Sequence, residues 1–143
     1  FASSHGLIPG DDGRLAAGPP LEQFAAGPAI ANRYAFAPPG FAGTALDVIA
    51  MANSGDSIAR EIVVTAGQVL GAAIGQLVNV FDPEVEKFGG GLGVVEGKYR
   101  ESFAAAMRGH IWSALHRDLP LLSAELGNDA GFIGAALAAS SSD

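Results

Sequence analysis

Four glycines in five residues, Gly89-Gly90-Gly91-Leu92-Gly93, make the segment of this chain best suited to chemistry. Glycine lets a backbone approach a bound nucleotide and take dihedrals that other residues avoid, and amides at a following helix start can face a phosphate. Glycine runs are also common turns, so the residues alone leave both readings open. Asp129-Ala130-Gly131-Phe132-Ile133-Gly134 falls where a strand turns into a helix. Asp129 suits the N-cap there, a role compatible with lining a cleft. Gly55-Asp56-Ser57-Ile58 superficially matches a serine-esterase nucleophile motif. It precedes a helix rather than following a strand, and Asp56 reads as that helix's cap. His110 and His116 stand six apart on one helix, which is not a metal-binding spacing, and read as surface or packing residues.

The elements that must hold these segments follow from punctuation and periodicity. Residues 1–20 read as irregular, with turn signals at Pro9-Gly10-Asp11-Asp12-Gly13 and Gly18-Pro19-Pro20. Leu21–Tyr34 reads as a short helix split at Gly27-Pro28, with Pro28 suited to a first helical turn. Ala37-Pro38-Pro39-Gly40 is a loop, and Ala45–Ala52 a short helix ended by Asn53-Ser54-Gly55. Asp56 then caps a long helix that reaches Phe81 and is stopped by Pro83. Its apolar stripe is Ile58, Ile62, Ala66, Val69, Ala73, Leu77 and Val80, widened by Leu70, Ile74 and Phe81. Gly67, Gly71 and Gly75 share one face; each costs about 1 kcal/mol of helix propensity relative to alanine, which points to another backbone packed closely there.

Glu84–Phe88 is a strand candidate leading into the glycine run. Gly97 to about His116 reads as a helix with Tyr99, Phe103, Met107, Ile111 and Leu115 spaced by four. Pro120–Leu126 reads as a strand and Ala130–Ala139 as the last helix. This order predicts a helix-rich α/β lobe with a small parallel sheet. A buried parallel strand is continuously apolar and unpaired charges there are costly, so Glu84-Val85-Glu86-Lys87-Phe88 predicts that the first strand lies at an edge or that the fold is altered.

Bulk composition narrows the function classes. At 143 residues the chain is one domain or part of one, and 49% hydrophobic residues suffice for a core. A net charge of −7 with no basic stripe argues against nucleic-acid binding. The absence of cysteine excludes disulfides and thiolate metal sites. Ile62–Phe81 is twenty residues without a charge, the length of a membrane span. Gln68, Gln76, Asn79, Thr65 and three glycines, with no signal peptide or basic flank, favour a buried helix of a soluble, cytoplasmic protein instead. The chain opens on Phe1 rather than methionine, which leads us to expect an upstream piece.

Two islands carry a family resemblance: Asn79-Val80-Phe81-Asp82-Pro83-Glu84 followed by the glycine run, and Leu126-Gly127-Asn128-Asp129-Ala130-Gly131-Phe132-Ile133-Gly134-Ala135-Ala136. In this order and spacing they resemble the C-terminal part of the ROK family of sugar kinases and sugar-responsive repressors. The resemblance implies a partial actin-like ATPase (ribonuclease-H-like) C-terminal lobe spanning 1–143, with 1–44 an N-terminal segment containing a short helix and 45–143 the helix/strand lobe. It implies ATP and Mg2+ as cofactors and a hexose as substrate. Gly89, Gly90 and Gly91 match glycines that border the nucleotide, and Asp129 and Gly131 a turn beside it. Leu21-Glu22-Gln23-Phe24-Ala25-Ala26-Gly27-Pro28-Ala29-Ile30 looks like the stretch after the family's zinc loop, which maps a sugar-binding glutamate onto Glu22 and a histidine shared between sugar and zinc onto His5. Carboxylate and imidazole are the expected partners of a polyol.

The chain departs from that pattern in two places. Ala2 replaces a family glutamate, and Gly13-Arg14-Leu15-Ala16-Ala17-Gly18-Pro19-Pro20 replaces the cysteine-rich knuckle, so the structural zinc is expected to be lost. The family's catalytic aspartate and main phosphate loop fall upstream, and no residue here is assigned as catalytic base. The expectation is therefore the C-terminal portion of an ATP-dependent, glucose-like hexose kinase. The alternatives are a non-catalytic sugar-binding or regulatory module, and a remnant that persists as a helix-rich oligomer. An incomplete lobe exposes apolar surface, so homo-oligomerisation is expected.

Overall fold

The computed structural model describes residues 7–9, 15–17, 20–37, 40–93, 95–126 and 129–140. Strands β1 (Leu7–Pro9) and β2 (Leu15–Ala17) pair antiparallel, with Ile8 opposite Ala16. They lie in the stretch expected to be irregular; turn residues flanking short apolar runs suit a hairpin equally well. Helices α1 (Leu21–Ala25) and α2 (Gly27–Ala35) are the two halves expected of a helix broken at Gly27-Pro28. Ala26 is extended between them at φ −74°, ψ 161°, and Pro28 sits in the first turn of α2, where a missing N–H costs nothing.

Helix α3 (Ala45–Asn53) opens with a capping box in which the Thr44 amide and hydroxyl donate to Asp47 Oδ2 at 2.7 and 2.8 Å. Those bonds hold the Asp47 carboxyl below the usual carboxylate range. Helix α4 (Ser57–Phe81) is capped as expected: Asp56 accepts from the Ala59 amide at 2.8 Å and from the Tyr34 hydroxyl at 2.9 Å. The Ala59 amide first, then Tyr34, hold the Asp56 carboxyl below its ordinary range. At the far end Asp82 takes a left-handed conformation (φ 51°, ψ 53°) just before Pro83, and its carboxylate meets His116 Nε2 at 2.8 Å.

Strand β3 (Glu86–Phe88), the short α5 (Gly90–Gly93), α6 (Lys98–His110), β4 (Leu121–Ser123) and α7 (Ala130–Ser140) complete the described elements. Contact between α4 and α6 is the most extensive among the described elements. The glycine face of α4 explains it. A Cβ on Gly67 would stand 2.7 Å from Tyr99 O, one on Gly71 would collide with Phe103 O, and one on Gly75 would stand 2.6 Å from Met107 O. Positions rise together on both helices, so α4 and α6 run parallel, backbone against backbone. The propensity cost of three glycines is thus offset by a crossing that no side chain could fit.

The glycines also shift the buried face of α4 from its expected phase. Ile62, Val63, Ala66, Gly67, Gly71, Gly75 and Val78 are buried, while Ile58, Val69, Val80 and Phe81 face outward. The helix is long and apolar enough to cross a membrane, and a third of its most apolar window is buried inside the fold. On α6, Tyr99, Phe103, Met107 and then Ile111 are buried as their spacing predicts. Leu115 is 89% exposed because the helix stops at His110 rather than His116.

Two asparagines fix the ends of α6. Asn53, at the end of α3, accepts from the Lys98 amide at 3.0 Å, capping a helix whose own N-cap residue is Gly97. Asn79, in α4, donates to His110 O at 2.8 Å and accepts from the Trp112 amide at 2.9 Å. Asn79 therefore terminates α6 from outside, one residue into the first sequence island.

β3 and β4 pair in parallel, Lys87 opposite Leu122, as the element order predicts. Phe88 packs edge-on against Phe103, with ring centroids 4.2 Å apart, and so seats the sheet on α6. The charges in β3 are resolved by alternation: Lys87 is exposed and Glu86 half-buried. Burial raises the Glu86 carboxyl above its ordinary pKa.

Candidate functional site

A cavity of about 400 Å³ opens between α1, α4 and the turn after β3, lined by Glu22, Ala25, Leu70, Gly89, Gly93 and Tyr99 among others. It brings together two segments that are far apart in sequence, the first turn of α1 and the glycine run. Glu22 is exposed at the rim, and its backbone carbonyl closes α1 by accepting from Ala26 N at 3.2 Å. α1 is only five residues long and needs an anchor. Arg33 supplies it from α2: its guanidinium lies 4.0 Å from the Phe24 ring centroid and donates to Phe24 O at 3.3 Å. The same group reaches α4 through Thr65 Oγ1 at 2.7 Å and Ile62 O at 3.4 Å. Partial burial lowers the Arg33 pKa, with Glu61 opposing the shift. Tyr99 forms the floor, its hydroxyl 3.5 Å from Ala25 O, and burial pushes its pKa up to about 12.

The glycine run divides into closed and open positions. Gly93 is buried, and a Cβ there would stand 2.9 Å from Phe88 C, so the turn folds back onto the strand it leaves. Gly90 has φ +74°, and among the described residues beyond the turn's own backbone no atom lies within 4 Å of where a Cβ on Gly90 or Gly91 would be. The backbone is therefore exposed without side-chain cover, which is the property a close nucleotide contact requires.

Arg100 secures this turn from behind. It donates to Gly93 O at 3.4 Å, to Ser123 Oγ at 2.9 Å and to Leu121 O at 3.4 Å, and it pairs with Glu96 at 3.6 Å. One side chain thus ties the glycine turn, β4 and α6 together. Neither Arg100 nor the cavity role of Tyr99 was legible in the sequence. Tyr99 was counted only as core, and Arg100 carries no motif beyond its place in the helix after the glycine run.

The other candidates are dispersed. Asp129 and Gly131 are exposed and do not line the cavity; the Asp129 amide donates to Leu126 O at 3.0 Å. No residue of α7 is buried. His5 lies outside the described residues. His110 is exposed with Nδ1 2.8 Å from Ala106 O, and His116 pairs with Asp82, which are the surface and packing roles expected of them. Among the described residues, no three His, Cys, Asp or Glu side chains cluster to hold a metal ion. Cysteine content speaks only to thiolate ligands, so it leaves zinc bound by other groups unaddressed.

Comparison with known proteins gives one family. The ROK family profile matches residues 17–142. The bifunctional enzyme NanE/NanK of Brucella melitensis is 39% identical over 126 residues, covering 85% of this chain and 23% of that enzyme. Among solved structures, a ROK hexokinase from Thermus thermophilus aligns with 96% of this chain and 46% of its own, at 31% identity and a TM-score of 0.70. A ROK family glucokinase from Streptomyces griseus, solved with glucose and AMPPNP, aligns with 86% of this chain and 45% of its own, at 22% identity and a TM-score of 0.70. The chain thus spans about a quarter of the first relative and just under half of these two structures. Their shared architecture, a helix-rich actin-like fold, is the one described above.

Proposed function

The chain belongs to the ROK family, and we propose that it is the C-terminal portion of an ATP-dependent kinase acting on a glucose-like hexose. The observation that carries this reading is the cavity shared by Glu22 and the glycine turn. In it Glu22 accepts hydrogen bonds from sugar hydroxyls; His5, outside the described residues, is assigned as a second sugar contact by the family resemblance alone. Gly89, in the cavity wall, and the open backbone of Gly90 and Gly91 border the nucleotide; Asp129 and Gly131, outside that cavity, are assigned to the nucleotide by the family resemblance alone. Tyr99 and Arg100 hold the two walls in place. ATP supplies the phosphoryl group; the residues here position and shield rather than act as base, and that base lies outside this chain. The described residues offer no carboxylate cluster for Mg2+. The protein is soluble and cytoplasmic in this reading. It self-associates through apolar surface such as Trp112, Leu115 and Phe132, which are 75, 89 and 84% exposed.

A sugar-binding regulatory module is the second reading, favoured by Ala2 and by the replaced knuckle at residues 13–20. Glucose-dependent ADP release by the product of the complete gene separates the two. Kinase function predicts turnover, with Glu22→Gln raising the hexose KM at least tenfold. Hexose binding without turnover would favour the module.

A further inference from the structure

The two walls of the cavity, α1 with Glu22 and the glycine turn after β3, are fastened by one device used twice. Arg33 lies over the Phe24 ring at 4.0 Å, and Phe24 follows Glu22 on α1. Arg100 lies over the Phe88 ring at 5.8 Å, and Phe88 directly precedes Gly89. Each guanidinium donates to a carbonyl of the wall it backs, Arg33 to Phe24 O at 3.3 Å and Arg100 to Gly93 O at 3.4 Å. Each then reaches a different support. Arg33 holds Thr65 Oγ1 and Ile62 O on α4, and Arg100 holds Ser123 Oγ and Leu121 O on β4. The two sets of partners share no residue, which is the condition for independent effects. Both walls need such fastening, because α1 has five residues and α5 four, too few to hold an orientation alone. Neither arginine lines the cavity. Both are half-buried, and a planar fork that stacks on a ring while bridging several acceptors is a geometry that lysine does not offer. Displacing a substrate-positioning group by about 1 Å is enough to cost a large factor in binding or rate.

We propose that Arg33 and Arg100 are positioning residues that set the affinities for the two substrates separately: Arg33, through α1, places the Glu22 carboxylate for the hexose, and Arg100, through the Gly93 carbonyl, places the open glycine backbone for the nucleotide. Neither touches a ligand. These roles rest on the hexose kinase reading, and they name the residue that tunes each half of its site.

The test measures hexose and ATP KM values, with glucose and AMPPNP Kd values from calorimetry, for the product of the complete gene and its single variants. Arg33→Met should raise the hexose KM and the glucose Kd at least fivefold and leave the nucleotide values within twofold. Arg100→Met should do the reverse. Arg33→Lys and Arg100→Lys keep the charge and cover the case of a methionine variant that does not fold. Each should show the same one-sided loss, at least threefold. Full recovery by lysine would overturn the proposal, since charge without the fork would then suffice. So would a folded variant that weakens both substrates equally, the mark of a general loss of structure, or one that weakens neither. Turnover by the parent is scored separately. Turnover with constants that do not split between the two arginines sinks the positioning roles and spares the kinase reading. Split Kd values without turnover do the reverse, and a parent that binds neither ligand sinks both.

Discussion

On α4, Gly67, Gly71 and Gly75 are roofed by the backbone of α6, whereas Gly90 and Gly91, on the turn after β3, have open space where side chains would be. The residue type is the same and the physical use is opposite. In the first group the missing Cβ admits another part of the protein, so the glycines contribute to stability. In the second it admits nothing among the described residues, so the room is left for something else. Glycine spacing alone separates them: a repeat of four inside an uncharged stretch of helix predicts a crossing, and a cluster after a strand predicts a turn.

The contrast breaks most sharply under substitution. Gly71→Val drives a side chain into the Phe103 carbonyl and should cost at least about 3 kcal/mol, or abolish cooperative unfolding, in thermal or denaturant melts. A tolerated valine would mean that the helices do not cross as described. Alkaline pH attacks the same crossing through Tyr99, whose backbone covers Gly67. Its neutral hydroxyl is favoured in the folded state, so stability holds up to the unfolded pKa of about 10. It then falls until the folded pKa of about 12, by on the order of 2 kcal/mol. Tyr99→Phe should flatten that limb of the stability–pH profile. Asn79→Ala removes two bonds that end α6 and should cost about 1–2 kcal/mol in the same melts. Smallest is Gly91→Ala, which meets open space and should change stability by less than about 0.5 kcal/mol. It should still weaken AMPPNP binding in calorimetry, which sharpens the division between the two groups.

Much of the scaffold was readable because its signals are local. The Asp56 cap, the break at Gly27-Pro28, the stop at Pro83 and the two strands flanking α6 each follow from residues near one another in sequence. What escaped depended on distant partners. The stripe on α4 was mis-phased because glycine scores as neither apolar nor polar, although here it forms the most tightly packed face. The end of α6 was placed beyond His110 because its periodicity continues to Leu115; the residue that stops it, Asn79, belongs to another helix. Asn79 and Asp82, which the sequence places in a family island without a structural role in it, prove to clamp α6 and to hold His116.

The candidate site was legible in its parts and not in its assembly. Glu22 and the glycine run were named for separate reasons, and only the fold shows that they face one cavity. Asp129 immediately precedes α7 and Gly131 lies in its first turn; both are exposed, so their sequence resemblance finds no counterpart in that cavity.

The most direct test of the shared cavity is backbone amide chemical-shift mapping of this chain during separate titrations with glucose and AMPPNP. A shared cavity predicts that glucose perturbs Glu22, Ala25 and Ala26, that AMPPNP perturbs Gly89, Gly90 and Gly91, and that both reach Gly93 and Tyr99. Perturbations confined to other surfaces, or none with either ligand in a folded sample, would contradict it.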